Sequence, residues 1–315
     1  MGVILGLAAA LLYGGSDFAG GLASRKLGAV PVNVVGSSVA AALAWVALLA
    51  VGGPGPTVHA VAWGLASGLG GGIGTTMLYR GLARGQMSVV GPVSAVAAAG
   101  VPVAASLAMG ERPTVLALAG VLVALPAIVL VAASGSAGGS ANSSASGSAS
   151  GAASGSVSGT ASGAASGSVR GLTGSGSGLV DGLAAGAAFG FMFIGLAQAG
   201  QVTGSQGAGL WPVASEQTGS LLLVLAIAIK SRVPLRPALR AAGWPALVGA
   251  SGMTATLLYF YATHVSMLAT AAVLVSLYPG VTVLLARVLL HERFSPVQRA
   301  GLSLCTLAVV AIALN

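Results

Sequence analysis

Charge is what this 315-residue chain has least of: 6% of its residues are Asp, Glu, Lys or Arg, against roughly 25% in an ordinary soluble domain. So few charges cannot solvate the surface of a globule this size, which excludes a soluble protein. Cysteine is nearly absent too. Cys305 stands alone in an apolar segment, which excludes an internal disulfide and a Cys-based metal site and says nothing of redox compartment. Only 15 residues are aromatic and no basic cluster is interleaved with them, so the net charge of +8 does not read as a nucleic-acid surface. No Lys or Arg precedes Arg25. The basic start of a secretory signal is therefore missing, and the first apolar run is expected to stay as a membrane helix.

Long apolar runs are what the chain does have: 56% of it is hydrophobic and 50 residues are glycine. A helix crossing a bilayer needs about 20 such residues. Ten runs satisfy this, predicting an all-α polytopic membrane protein: Val3–Ala23, Val32–Val51, Val58–Tyr79, Met87–Met109, Val115–Ala133, Leu179–Ala199, Ala208–Ile229, Ala241–Tyr261, Met267–Leu290 and Val297–Leu314. Between the fifth and sixth, Ser134 to Gly178 is almost wholly Ser, Gly and Ala and repeats ASGAASGSV at Ala149–Val157 and Ala161–Val169. That composition predicts a flexible coil spanning roughly 35–40 Å, a tether between a unit at 1–133 and another at 179–315.

The two units are related. An offset of 181 takes Trp63 to Trp244, Gly68 to Gly249, Gly71 to Gly252, Thr75 to Thr256, Glu111 to Glu292, Arg112 to Arg293 and Gly120 to Gly301. GLAA at Gly6–Ala9 returns at Gly182–Ala185 with an offset of 176. This is a duplication. With five spans in each unit, the second enters the membrane from the opposite side, so the repeats are expected to be inverted, as in secondary transporters with a midplane site between them. Twelve of the 13 basic residues fall in, or within snorkelling reach of, the loops after odd-numbered spans, and Arg112 alone on the other side. The positive-inside rule then puts those loops in the cytoplasm and both termini outside.

No P-loop or metal-ligand cluster is present, and His59, His264 and His291 fall at loops or span ends; an enzyme is not expected, nor a cofactor. Small residues every four positions, at Gly6, Ala10 and Gly14, at Gly182, Gly186 and Gly190, and at Gly64, Gly68 and Gly72, form ridges on which helices pack closely. Asp181 sits at the start of a span and Glu111 and Glu292 at span junctions, which leaves Asp17 and Glu216 inside the membrane. Carboxylates at that depth are functional hypotheses by default. Asp17 lies one turn beyond Tyr13 on a helix-packing face; Glu216 shares a stripe with Gly209, Pro212 and Ser220. Proton coupling or cation binding is the transport role for each. The structural alternative is a carboxylate paired within the bundle, or, for Asp17, hydrated near Arg25 and Lys26. Pro92, Ser94, Pro102, Ser276, Tyr278, Pro279 and Thr282 can open the helix ladder where a cavity re-satisfies it, and Tyr79, Trp211 and Tyr259 are candidates to line that cavity.

Ten spans, a five-plus-five duplication and the junctions GERPT at Gly110–Thr114 and HERFS at His291–Ser295 resemble the EamA-type proteins of the drug/metabolite transporter superfamily. The resemblance implies export or exchange of small metabolites, such as amino acids or drug-like cations, through a cavity between the halves of a plasma-membrane carrier, without covalent chemistry. Members are often drawn with cytoplasmic termini, the reverse of the orientation read from charge. A non-transporting membrane scaffold or sensor is the alternative class; it would need neither intramembrane carboxylates nor internal inverted symmetry.

Overall fold

Gly28, at φ 87°, ends one long helix and begins the next with no loop between them, a backbone state open to glycine and costly to most other residues. The computed structural model describes residues 1–84, 87–110, 166–201, 209–278, 280–282 and 284–285, with isolated helical positions between 119 and 130 and between 300 and 307. The described residues contain helices and no strand. In order they are α1 (Gly2–Leu27), α2 (Ala29–Val51), α3 (Val58–Ala83), α4 (Met87–Ala108), α5 (Ser166–Gly200), α6 (Trp211–Lys230), α7 (Arg236–Arg240), α8 (Gly243–Val265) and α9 (Leu268–Val275).

α1, α2, α6 and the Val180–Gly200 part of α5 are long and apolar enough to cross a membrane; Val93–Ala108 and Leu268–Thr282 are shorter apolar segments. α3 and α8 match the expected third and eighth spans in position and owe their lower hydropathy to glycine and polar residues. The fifth and tenth spans and both Glu-Arg junctions lie almost wholly outside the described residues.

One expectation is corrected. Residues 166–178, read as coil, belong to α5: extending an existing helix adds a hydrogen bond per residue without a new nucleation cost, and no proline interrupts this stretch. The ninth span does open among the polar residues and proline from which an opening is expected. It turns at Ser276 and Leu277, where Leu277 N–H donates to Leu274 O at 3.3 Å and Gly280 N–H to Leu277 O at 2.9 Å. Pro279 carries no N–H, so the regular bond back to Val275 cannot form and the ladder tightens to three-residue steps. α4, by contrast, runs helical through Pro92 and Pro102.

The packing is crossed between halves. α3 lies against α5 and α6, and α8 against α1 and α2. The small-residue ridges make these contacts. A Cβ on Gly14 would stand 2.6 Å from Tyr278 O; one on Gly186 would stand 2.6 Å from Ala97 Cβ, and one on Gly190 2.7 Å from Val101 Cβ. The ridge of α1 thus seats the segment around α9, and the ridge of α5 seats α4. Gly64, Gly68 and Gly72 of α3 seat α6. Outward faces carry Ile4, Leu11, Val46, Leu49, Leu222, Ile229 and Leu247, all exposed, while Ser16, Asn33, Ser67, Thr76, Ser94, Gln217 and Thr256 are buried. An apolar exterior around a polar interior is the arrangement a bilayer imposes.

The ends are fixed locally. Thr57 Oγ1 accepts from Ala60 N–H at 3.1 Å to cap α3, satisfying one of the helix's orphan donors. At the far end of α3, Arg84 Nη1 meets Asp181 Oδ2 of α5 at 3.0 Å and Arg80 Nε lies 3.9 Å from Asp181 Oδ1. Both arginines are about half exposed and the carboxylate is buried. Arg84→Ala is expected to cost about 1 kcal/mol because Arg80 remains as a second cation. Replacing both should cost about 3 kcal/mol by stranding a buried charge; thermal denaturation in detergent, followed by circular dichroism, measures the difference.

Candidate functional site

The crossed packing leaves a partly open cavity where α1, α2, α3, α5, α6 and α8 converge. Asp17 reaches it from α1 and Glu216 from α6. Tyr13 and Asp17 are one turn apart on α1, so both side chains point the same way; Glu216 and Ser220 repeat that spacing on α6 and line the same space. The Tyr13 hydroxyl lies within electrostatic reach of both carboxylates.

The polar lining is largely tied together. The Tyr13 and Thr256 hydroxyls are hydrogen-bonded at 2.8 Å, and Gln217 Nε2 donates to Thr256 Oγ1 at 3.3 Å. On the opposite wall, Asn33 Nδ2 donates to Thr75 Oγ1 at 2.8 Å and to Thr76 Oγ1 at 2.9 Å, while Ser37 donates to Asn33 Oδ1 at 3.3 Å. Ser16 Oγ donates to Val248 O at 3.0 Å. In each half an amide on the second helix therefore holds the repeat-matched threonine of the third, Asn33 on Thr75 and Gln217 on Thr256.

Glu216 Oε2 and the Tyr278 hydroxyl are exceptions. Asp17 is 8% exposed and Glu216 3%, and Glu216 Oε2 is buried with no hydrogen-bond partner. Among the described residues the ion pairs are those of Asp181, and no Lys, Arg or His lines the cavity. Gly71 makes room for the Glu216 head: a Cβ there would stand 3.0 Å from Glu216 Oε1 and 3.0 Å from Met192 Sδ. One wall is apolar, formed by Phe189, Met192 and Phe193 with Met253.

Of the residues singled out from sequence, Tyr13, Asp17, Tyr79, Glu216 and Tyr278 line this cavity and Trp211, Tyr259 and Ser276 do not. Tyr259 is fully buried, its hydroxyl donating to Phe193 O at 3.0 Å and its ring 4.7 Å from that of Phe193; it supports the wall from behind. Trp211 packs edge-on to Trp45 and donates to Pro54 O at 2.9 Å, tying the α2–α3 loop to the start of α6. Ser276 turns back to Ala272 O at 2.7 Å. Pro92 and Pro279 have side chains outside the described residues. Sequence reasoning missed Asn33, Ser37 and Gln217, whose signal was available: amide and hydroxyl groups isolated in otherwise apolar spans.

A family model for the EamA-like transporter family matches residues 1–133 and again 176–314. The chain belongs to the EamA-like transporter family. The second match begins three residues before the expected second unit, and the two matches together leave out most of the Ser/Gly/Ala-rich segment. A solved structure titled only as the crystal structure of a protein is similar over 99% of this chain and 96% of its own, with a TM-score of 0.66 at 16% identity. That likeness concerns the fold alone. No curated protein matches the chain.

Proposed function

We propose that this EamA-like protein is a secondary carrier of ten helices in two inverted five-helix repeats that exports a small organic solute across the plasma membrane. The cavity opens alternately to the two sides. Both termini lie outside, following the charge bias of the loops, and no covalent chemistry is involved. Asp17 and Glu216 couple export to proton entry: a carboxyl that releases its solute takes up a proton, so it crosses the membrane neutralised in either loading state. The observation that carries this reading is a cavity at the crossing of the halves lined by two buried carboxylates, with no cationic partner for either among the described residues.

Coupling is tested in cells preloaded with a panel of labelled amino acids and amines. Wild-type efflux is expected to rise several-fold when an inward proton gradient is imposed, and Asp17→Asn to remove that rise. An equal gradient response in both proteins would take Asp17 out of the coupling role. Reporter fusions at the ends of α3 and α8 check the inversion, with the Trp63 and Trp244 helices expected to cross in opposite directions.

A further inference from the structure

The cavity's charge is one-sided. Among the described residues it contains two buried carboxylates and no side chain of the opposite sign. Burial of an unpaired charge is costly unless something neutralises it. The Asn33 amide and the two threonines do not do so: both hydrogens of the Asn33 amide go to Thr75 and Thr76, and the hydroxyl hydrogens of Thr75 and Thr256 go to Gly71 O at 2.9 Å and Gly252 O at 3.1 Å. Among the described residues nothing supplies the counter-charge, which leaves it to a proton or to a cationic group of the solute.

We infer that the cavity selects a protonated amine with a compact apolar body and rejects the corresponding zwitterionic amino acid and anion. The ammonium sits by Asp17 and Glu216, in range of Tyr13, whose ring face offers a cation–π contact. The apolar body lies along Phe189, Met192 and Phe193. A carboxylate on the ligand would enter a space already holding two like charges and no guanidinium or ammonium, so its desolvation would go uncompensated. The charge asymmetry also follows from the repeats. With the offset of 176 that relates their first helices, Asp17 corresponds to Phe193 and Tyr13 to Phe189, so duplication has left a charged wall facing an aromatic one.

This inference rests on the carrier reading only for its location; binding is measured separately from movement. Purified protein in detergent at pH 7 is titrated calorimetrically with phenethylamine, phenylalanine and phenylacetate, three probes sharing one ring. The amine is expected to bind at least tenfold tighter than either carboxylate-bearing probe, and Glu216→Gln to weaken it at least tenfold with no comparable change for phenylacetate. The wild-type comparison needs no variant to fold. Equal affinity for the three probes, or an anion bound best, overturns the inference. Counterflow in proteoliposomes separates the two readings: amine binding without counterflow leaves the amine site standing and sinks the carrier, and counterflow of phenylalanine or phenylacetate without phenethylamine does the opposite.

Discussion

Gly68→Val and Gly249→Val are each expected to abolish recovery of monodisperse protein from detergent extracts, whereas Gly100→Val is expected to leave the yield near wild type. The three substitutions are chemically identical. They differ in what the new side chain meets. A Cβ on Gly68 would fall onto Glu216 O and stand 2.7 Å from Ser220 N and 2.9 Å from Gly219 Cα. One on Gly249 would fall onto Gly36 O and stand 2.8 Å from Gly36 C. These are backbone atoms of helices and cannot rotate away, so relief requires α3 to part from α6, or α8 from α2. Overpacking that side chains can absorb costs about 1–3 kcal/mol, and more where backbones must move. At Gly100 no atom of the described residues lies within 4 Å, so valine there meets none of them. Gel-filtration profiles of the three variants decide the matter; equal yields would mean that the crossed α3–α6 and α8–α2 contacts do not hold the fold together.

These two glycines also mark how far the sequence alone could be read. They stand at equivalent repeat positions, and lipid makes whole segments apolar, so eight of the spans could be bounded within a few residues of the helices found for them, the N-terminal extension of α5 and the break in the ninth span apart. What a helix packs against is not written along its own length. The ridge Gly6–Ala10–Gly14 announced a close contact without naming its partner, and the crossing of each third helix to the opposite half depends on shapes distant in sequence. The same limit divides the site residues. Asp17 and Glu216 stood out because charge is rare in a membrane interior. Trp211 and Tyr259 were aromatic in the right spans, but rotation about the helix axis decides whether such a ring faces a cavity, the core or a loop. The turn at Ser276 was legible through Pro279, since a missing N–H is a covalent fact. The short α7, held in the basic loop after α6, left no periodic signal to read.

Gly71 separates folding from function where Gly68 does not. Gly71→Leu is expected to give folded protein at near wild-type yield and to lower amine transport at least tenfold, equivalent to about 1.4 kcal/mol of lost interaction. The atoms a new Cβ would crowd are Glu216 Oε1 and Met192 Sδ, each at 3.0 Å and each at the end of a flexible side chain. Rotating them away is cheap for the fold. It is costly for the cavity, because the carboxylate leaves the place where it faces Asp17's wall, and the remaining leucine atoms fill space meant for solute. Gly71→Ala should fall between, shifting the Glu216 head by a few tenths of an ångström with little lost volume. Its transport defect would then report on carboxylate position alone. Gly252 is the repeat-matched residue of Gly71 and also lines the cavity, yet among the described residues a Cβ there would meet only Ser16 Oγ at 3.5 Å. Gly252→Ala should therefore transport like wild type. Uptake rates for the three variants, normalised to protein reconstituted, test the ordering; a defect in Gly252→Ala as large as in Gly71→Ala would show that cavity volume, and not the seat of Glu216, sets the rate.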